Sequence, residues 1–402
     1  MNPRATTKHL NLPFFEKQHQ EIGNCLADWL PKQQIDESDD RAACKAWVKL
    51  LGANQWLKYC VPAAYGGAFE NIDSRALVIL RENLAFHSAL ADFAFAMQGL
   101  GSGSISLAGS PELQKKYLPQ VARGEKIAAF ALSEPDAGSD VGAMNAVANY
   151  ADSMLAGGQF SYEIDGKKTW ISNGGLADFY CVFAKTQPDA GSRGISAFVV
   201  NAGTPGLDDN EHIAVMAPHP LATLSFKQCQ VPRSQMLGEE NAGFKLAMAT
   251  LDIFRPSVAA AALGFARRAL HEARAYAQGR KMFGKTLADQ QLTQARLGEM
   301  AALIDSGAVL TYRAAWIRDV ALTSGEASRE DYTAAAAMAK MVATENASRV
   351  IDMALQMHGG MGVKVGTHIE ALYRDIRALR IYEGATEVQQ LILGKSVLTG
   401  VI

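Results

Sequence analysis

Residues Ile127 to Asp140 read IAAFALSEPDAGSD, and at this stretch the spacing of apolar residues changes from helical to strand-like. Before it, from Phe14 to about Arg123, apolar residues recur at three- and four-residue intervals, as in Leu77-Val78-Leu80-Leu84 and Phe93-Ala96-Met97-Leu100. That is the period of helices with one buried face, here broken at Pro62 to Gly67 and Gly99 to Gly109. After it come short β-prone runs, Ala128-Phe130-Leu132, Asp178 to Phe183, Ile195 to Val200 and Leu221 to Phe226, separated by Gly, Asp, Asn and Pro. Helical spacing returns beyond Gly243 in three alanine-rich segments, Phe244 to Ala277, Leu292 to Thr323 and Tyr332 to Met357. Their small side chains permit close packing and suit a bundle that also associates with copies of itself. The expected organisation is a helical N-terminal domain over 1–126, a β domain over 127–240 and a helical bundle over 241–402. A Rossmann domain would alternate strand and helix throughout. This chain does not, and it has neither a Gly-x-Gly-x-x-Gly after a strand nor a Walker-type lysine loop.

The 402 residues, 49% hydrophobic and 20% charged, have the composition of an ordinary globular protein. A formal net charge of −2 gives no electrostatic footprint for nucleic acid or an anionic membrane. Five widely spaced cysteines, Cys25, Cys44, Cys60, Cys181 and Cys229, form no Cys-x-x-Cys pair, so neither a disulfide framework nor a zinc or other metal site is expected. The N-terminus lacks a signal-like apolar core and no uninterrupted apolar run reaches bilayer length, so a cytoplasmic protein without a membrane or nucleic-acid partner is expected.

Five stretches carry candidate chemistry. In Arg380-Ile381-Tyr382-Glu383-Gly384-Ala385-Thr386-Glu387, the carboxylate of Glu383 stands between an aromatic ring and a flexible glycine. Burial would raise its pKa toward that of a general base, although a glutamate at a helix end reads the same way. Ala131 to Asp140 breaks from a strand into a loop with two serines and a glycine, which suits either a planar hydrogen-bonding cofactor ring or a self-satisfied turn. In Gly166-Lys167-Lys168-Thr169-Trp170-Ile171-Ser172-Asn173-Gly174, Asn173-Gly174 signals a hairpin. Strand alternation there puts Trp170 and Ser172 on one face, as core or as a platform for an isoalloxazine. Arg280-Lys281-Met282-Phe283-Gly284-Lys285-Thr286-Leu287-Ala288-Asp289-Gln290 offers an arginine for a pyrophosphate, or merely a charged helix end. Gln356-Met357-His358-Gly359-Gly360-Met361-Gly362 exposes backbone N–H groups to phosphate, or simply stops a helix; His358 reads as packed or solvated.

In this order and at these separations the five stretches resemble the acyl-CoA dehydrogenase family, from about Leu10 to the C-terminus. Connecting stretches agree: Val61-Pro62-Ala63-Ala64-Tyr65-Gly66-Gly67, Gln114 to Pro119, Val231-Pro232 before Leu237-Gly238, and Gly243 to Met248. The resemblance implies an α+β multidomain fold with a helical N-terminal domain, a middle β-barrel-like domain and a C-terminal four-helix bundle. It also implies one FAD per subunit and a homotetramer, or a homodimer.

By that resemblance Phe130, Leu132, Ser133, Ser139, Trp170 and Ser172 border the flavin ring, Phe130 replacing a tyrosine of some members. Arg280, Phe283, Gln290, Gln356, Gly359 and Gly360 surround the ADP half, some of them reaching a neighbouring subunit's cofactor. Thr386 and Glu387 fall among cofactor positions, but Gly384-Ala385-Thr386-Glu387 departs from the more common Gly-Thr followed by Ser or Asp. Substrate positions are Ser139, Leu251, Asp252, Phe254, Arg255, Tyr382 and Gly384. Glu383 matches the catalytic base; where two subgroups put the base elsewhere this chain has Phe254, which leaves Glu383 unopposed.

The implied reaction converts an acyl-CoA thioester to the trans-2-enoyl-CoA. Glu383 takes the α-proton, its own N–H polarises the thioester, flavin N5 accepts the hydride, and electron-transferring flavoprotein is the acceptor. An acyl-CoA oxidase or flavin monooxygenase on the same fold is the alternative enzyme, and a flavin-free CoA-binding scaffold the alternative class. The acyl group is expected between a helix carrying Phe86 to Gln98 and one carrying Leu251 to Arg255, lined by Phe86, Leu90, Phe93, Phe95, Met97, Leu251, Phe254 and Tyr382. Family members that accept dicarboxylic acyl-CoAs carry an arginine on the first of these helices; the segment here holds none, and its one charged residue, Asp92, is expected to repel a carboxylate, so the resemblance implies an uncharged acyl group of short to medium length or carrying a ring.

Overall fold

The computed structural model describes residues 3–151 and 160–402. Helices α1 (Lys17–Trp29), α2 (Asp40–Ala53), α3 (Ser74–His87), α4 (Ala89–Ala108) and α5 (Pro111–Ala122) come first. Strands follow: β1 (Ala128–Ala131), β2 (Val147–Tyr150), β3 (Ser161–Ser172), β4 (Phe179–Lys185), β5 (Ile195–Asn201), β6 (Leu207–Ile213) and β7 (Leu221–Pro232). Then come α6 (Gly243–Gly279), a small hairpin of β8 (Lys281–Met282) and β9 (Lys285–Thr286), α7 (Gln291–Trp316), the single turn α8 (Leu322–Ser324), α9 (Arg329–His358), α10 (His368–Leu379) and α11 (Thr386–Leu398). The chain is thus helical at both ends with a sheet in the middle, as expected. It divides into two compact units: Ile35–Ile72 with Phe93–Leu251, and Met1–Gln34 with Asp73–Asp92 and Asp252–Ile402.

The first of these is the sheet unit. Its seven strands run in the order β1-β4-β2-β3-β7-β6, with β5 on β4. β4, Phe-Tyr-Cys-Val-Phe-Ala-Lys, is buried on both faces up to Ala184, as a strand of aromatic and β-branched residues in a sheet interior should be. β6, Leu-Asp-Asp-Asn-Glu-His-Ile, lies at the edge with Asp208 and Glu211 exposed, which keeps that edge from pairing with other chains, while Asp209 accepts from the Tyr180 hydroxyl. Helix α4 is stitched to β1: the Gln98 carboxamide accepts from Ala128 N at 2.9 Å and donates to the Lys126 carbonyl at 2.8 Å. Gly101 makes that approach possible, because a Cβ there would stand 2.7 Å from the Ala128 carbonyl carbon. Asn173-Gly174 is a turn but not a hairpin. The strands it joins, β3 and β4, are not neighbours in the sheet, and the buried Asn173 side chain donates instead to the Ala128 carbonyl at 3.0 Å.

In the helical unit, α7 packs against both α3 and α9, and α6 meets α3 at Gly264. The carboxylate of Asp319, in a π-turn after α7, accepts from the Ser74 and Arg75 N–H groups at 2.9 and 2.8 Å, so an anion caps the positive end of α3. The helix expected to carry Phe86 to Gln98 is two helices, parted where Ser88 is extended. Phe86 belongs to α3 and packs with Ala5, Ala27 and His271. Among the described residues one helix, α6, holds a window long and apolar enough to cross a bilayer by length and composition, and 83% of that window is buried within the protein, as in the core helix of a bundle.

Helix α6 approaches α3 at Gly264, where a Cβ would lie 2.3 Å from the Glu82 carbonyl oxygen and 2.8 Å from Ala85 Cβ. Backbone cannot yield there as a side-chain tip would. Gly264→Ala should therefore cost about 1–3 kcal/mol, measured by urea unfolding; an unchanged midpoint and slope would show that the two helices slide freely.

Candidate active site

The loop Arg380 to Ala385, between α10 and α11, turns on two residues in the left-handed region, Glu383 at φ 53° and Gly384 at φ 94°. For a glutamate that conformation costs about 1–3 kcal/mol and persists only if its surroundings hold it. They do so from α9 and α11. The Lys340 ammonium donates to the Tyr382 carbonyl at 3.1 Å and to the Gly384 carbonyl at 2.6 Å, and the Gln389 amide also donates to Gly384 O, at 2.9 Å. At the rim of the loop Glu345 receives Arg380 Nε at 2.8 Å and the Thr386 hydroxyl at 2.7 Å. The Thr386 hydroxyl, expected at a cofactor position, is thus engaged within the protein, and Glu387 is exposed.

Glu383 is half-buried, and its Oε2 is a buried oxygen with no hydrogen-bond partner among the described residues. Burial pushes the carboxyl above its ordinary range; Arg81, Lys340 and Arg255 pull it down, and Asp92 pushes it up. Arg81 has partners of its own: Nε and Nη2 grip Asp92 at 2.8 and 2.7 Å, Nη1 reaches Ser257 Oγ at 3.1 Å, and the guanidinium hydrogen-bonds Tyr382. The expectation that Asp92 would repel a carboxylate is therefore corrected. Its charge is neutralised by an arginine from α3, a segment outside the one inspected for it. Arg255 pairs with Asp252 at 2.7 Å while its Nε is buried without a hydrogen bond, and Phe254 beside it is buried. All these groups belong to the helical unit; Leu251, half-buried, falls in the sheet unit.

In the sheet unit, Ser133 and Trp170 are brought together because Thr169 N donates to the Ser133 carbonyl at 2.9 Å. The Phe130 ring packs at a tilt on Phe183 with centroids 5.0 Å apart, and Leu132 is buried. Strand alternation does not govern Trp170. Between Lys168 and Ile171 the pairing with β7 shifts register, and Trp170 lies at φ 59° in that bulge with 58% of its surface exposed. Ser172 lies 3.2 Å from His219 Nε2, and Ser139 is exposed in the loop after β1. A buried ion pair shapes that loop: Lys168 Nζ donates to Glu134 at 2.8 Å and to the Leu132 carbonyl at 3.1 Å, and Glu134 also accepts from Asn145 N and Ala146 N.

An open cleft of about 800 Å³ in the helical unit gathers Arg280, Gln356, Gly359 and Gly360, with Arg296 and Asp352. A Cβ at Gly359 or Gly360 would meet nothing within 4 Å, so a ligand can approach their backbone. His358, whose ring packs at a tilt 4.4 Å from that of Tyr276, is a packed residue of the same wall. Phe283 and Gln290 are not among its lining residues; Phe283 projects from the β8–β9 hairpin at φ 50° with 87% exposure.

Lys340, Arg81 and Glu345 escaped the sequence reading. For Lys340 a signal existed: it is the one charged residue on an α9 face otherwise formed by Ala336, Ala343, Thr344 and Ala347, all buried.

Family models for the acyl-CoA dehydrogenase N-terminal, middle and C-terminal domains match residues 20–125, 129–229 and 241–398. A 3-(aryl)acrylate reductase of Clostridium sporogenes is 36% identical over 393 residues, covering 96% of this chain and 100% of that one. The CarC subunit of the caffeyl-CoA reductase-Etf complex of Acetobacterium woodii is 36% identical over 341 residues, 84% of this chain and 86% of its own. The butyryl-CoA dehydrogenase structure from Megasphaera elsdenii superposes with a TM-score of 0.85 at 31% identity, covering 96% of this chain and 99% of that chain.

A Cβ on Gly384 would meet Gln389 Nε2 at 2.4 Å and would have to sit at φ 94°. Gly384→Ala is expected to destabilise the protein by about 1–3 kcal/mol in chemical denaturation, and no change in stability would mean that the loop relaxes out of its left-handed turn.

Proposed function

Because the chain belongs to the acyl-CoA dehydrogenase family, the flavin-dependent oxidoreductases of acyl-CoA thioesters, we propose that it converts an uncharged acyl-CoA to the trans-2-enoyl-CoA with Glu383 as the α-proton base. The observation that carries this reading is the Glu383 carboxylate, half-buried, raised in pKa and with one oxygen lacking a partner among the described residues.

The chemistry of the chain suits FAD. The Arg280 and Arg296 cations and the open Gly359-Gly360 backbone line a cleft of a size for a dinucleotide's phosphates and adenosine, with Gln356 beside them. The exposed indole of Trp170, with Phe130, Leu132, Ser133, Ser139 and Ser172, offers a stacking face and hydroxyl donors for the ring. FAD, when bound, supplies a hydride acceptor at N5 for the substrate β-carbon.

The α-proton of a thioester is too weakly acidic for a carboxylate unless the carbonyl is polarised. Glu383 has means for both tasks: its side chain takes the proton, and its N–H, which donates to no main-chain carbonyl among the described residues, is available to the thioester oxygen. Burial keeps water from competing for that proton, while Arg81, Lys340 and Arg255 keep enough of the carboxylate ionised to act. The acid limb of turnover should therefore lie above the ordinary carboxylate range, with activity rising as pH passes the raised pKa. The same groups serve both directions, so reduction of an enoyl- or arylacrylyl-CoA needs no other residue. Electron-transferring flavoprotein is the proposed acceptor, in keeping with a relative named as part of a reductase-Etf complex.

The acyl group proposed is uncharged, of short to medium length or carrying a ring, as in the relatives named for aryl acrylates and caffeyl-CoA. Arg81 is committed to Asp92, Ser257 and Tyr382: turning its guanidinium to a substrate carboxylate would break its pair with Asp92 and leave a buried charge, at a cost of about 3–5 kcal/mol.

Glu383→Gln should keep flavin and acyl-CoA binding yet reduce its flavin about 10²–10⁴-fold more slowly in anaerobic stopped flow; wild-type bleaching would sink the assignment. A panel of butyryl-, octanoyl-, phenylpropionyl- and glutaryl-CoA should place glutaryl-CoA last. Were it fastest, the acyl reading would fail, and stoichiometric peroxide formed in air would favour an oxidase.

A further inference from the structure

We propose that Lys340 is a positioning residue for the thioester-binding N–H of Glu383, which it aims and polarises through the carbonyl at the other end of the same peptide. This rests on the function proposed above and goes beyond it, to a side chain that touches neither substrate nor cofactor.

Lys340 lies in the middle of α9, is 0% exposed, and has no carboxylate within 4 Å among the described ion pairs. An ammonium so buried costs several kcal/mol unless its donors are met. Here they are met by two carbonyls, Tyr382 O at 3.1 Å and Gly384 O at 2.6 Å, on either side of the glutamate that has a left-handed backbone. The Tyr382 carbonyl and the Glu383 N–H are two ends of one planar peptide, and in the trans form they point in opposite directions. A carbonyl held on Lys340 therefore turns the N–H to the far side of the peptide plane. No main-chain carbonyl among the described residues receives it there. A charged donor on the carbonyl also draws electron density from the amide, and such cooperative strengthening is on the order of 10–30% per bond. The second bond, to Gly384 O, is shared with Gln389 and anchors the chain on the far side of Glu383, in the peptide that joins Gly384 to Ala385.

The charges that face the pair come from every packed element. Around Lys340 stand Glu383, Arg255, Glu345 and Glu387; around Glu383 stand Arg81, Lys340, Arg255 and Asp92, with the Tyr382 phenol beside them. Burial brings the ammonium down to about 8, so it is charged at neutral pH and loses its proton as the pH rises through that value. Both its charge and its direction then leave the Tyr382 carbonyl.

The test uses the flavin-loaded enzyme and acetoacetyl-CoA, a thioester whose acidic α-carbon forms an ultraviolet-absorbing enolate without needing oxidation. Lys340→Met, similar in length and apolar, should keep its flavin content while giving up part of the restraint on the left-handed turn. Bound acetoacetyl-CoA should nevertheless ionise at a pH at least one unit higher, with kcat for an oxidisable acyl-CoA down at least tenfold and KM within threefold. Lys340→Gln, which keeps a donor but no charge, should recover at least half of the shift and is the fallback should the Met variant fail to fold. Ionisation at the wild-type pH in the Met variant, or no recovery in the Gln variant, would overturn the proposal. Failure of the underlying function is distinguishable, since the wild-type enzyme would then form no enolate and bleach with no acyl-CoA.

Discussion

A glutamate held in a left-handed turn by a buried ammonium is the constraint on which the site depends. Left to itself, the Tyr382-Glu383-Gly384 backbone would relax to a conformation with φ below zero for Glu383. Lys340 and Gln389 prevent this by taking the carbonyls on both sides. The carboxylate that results is neither fully desolvated nor paired. Burial raises its pKa, three cations lower it, and none of them forms a salt bridge with it within 4 Å among the described residues. A direct ion pair would stabilise the carboxylate and blunt it as a base; cations at a remove leave it ionised and available.

The same logic extends through the helical unit. Arg81 does not reach for Glu383 because Asp92 and Ser257 hold its donors, and Arg255 is turned to Asp252. Each cation is anchored by a partner of its own, which fixes its distance from the base. The α3 helix that carries Arg81 is in turn fixed at its N-terminus by Asp319 and along its length by the close approach at Gly264. Geometry at the base is therefore inherited from helix packing well away from it.

Much of this was legible in the sequence and some was not, for physical reasons. Helical periods located α6 and α9 to within about three residues, because a buried stripe repeats over many turns, and ran α7 on to Thr323 through a π-turn and α8 that interrupt it after Trp316. β strands were legible as β-branched and aromatic runs, but which strands pair was not. Asn173-Gly174 has the chemistry of a hairpin turn, yet the β3–β4 connection joins strands that are not neighbours. Alternation failed at Trp170 because a bulge inserts a residue and resets the parity. At the candidate site, Glu383 could be named from its neighbours in sequence, while Lys340 and Arg81 could not, since their importance comes from contacts 42 and 11 residues away along the chain. Asp92 shows the hazard most clearly: read alone it is a repelling charge, and in the fold it is half of a neutral pair.

The most direct test of the account is exchange of the substrate α-proton. Under anaerobic conditions in deuterium oxide, with a saturated acyl-CoA and the flavin-loaded enzyme, deuterium at the α-carbon can be followed by mass spectrometry. Wild-type enzyme should introduce deuterium there and Glu383→Gln should introduce none above the rate in buffer. Equal exchange by both would contradict the claim that this buried carboxylate moves the proton.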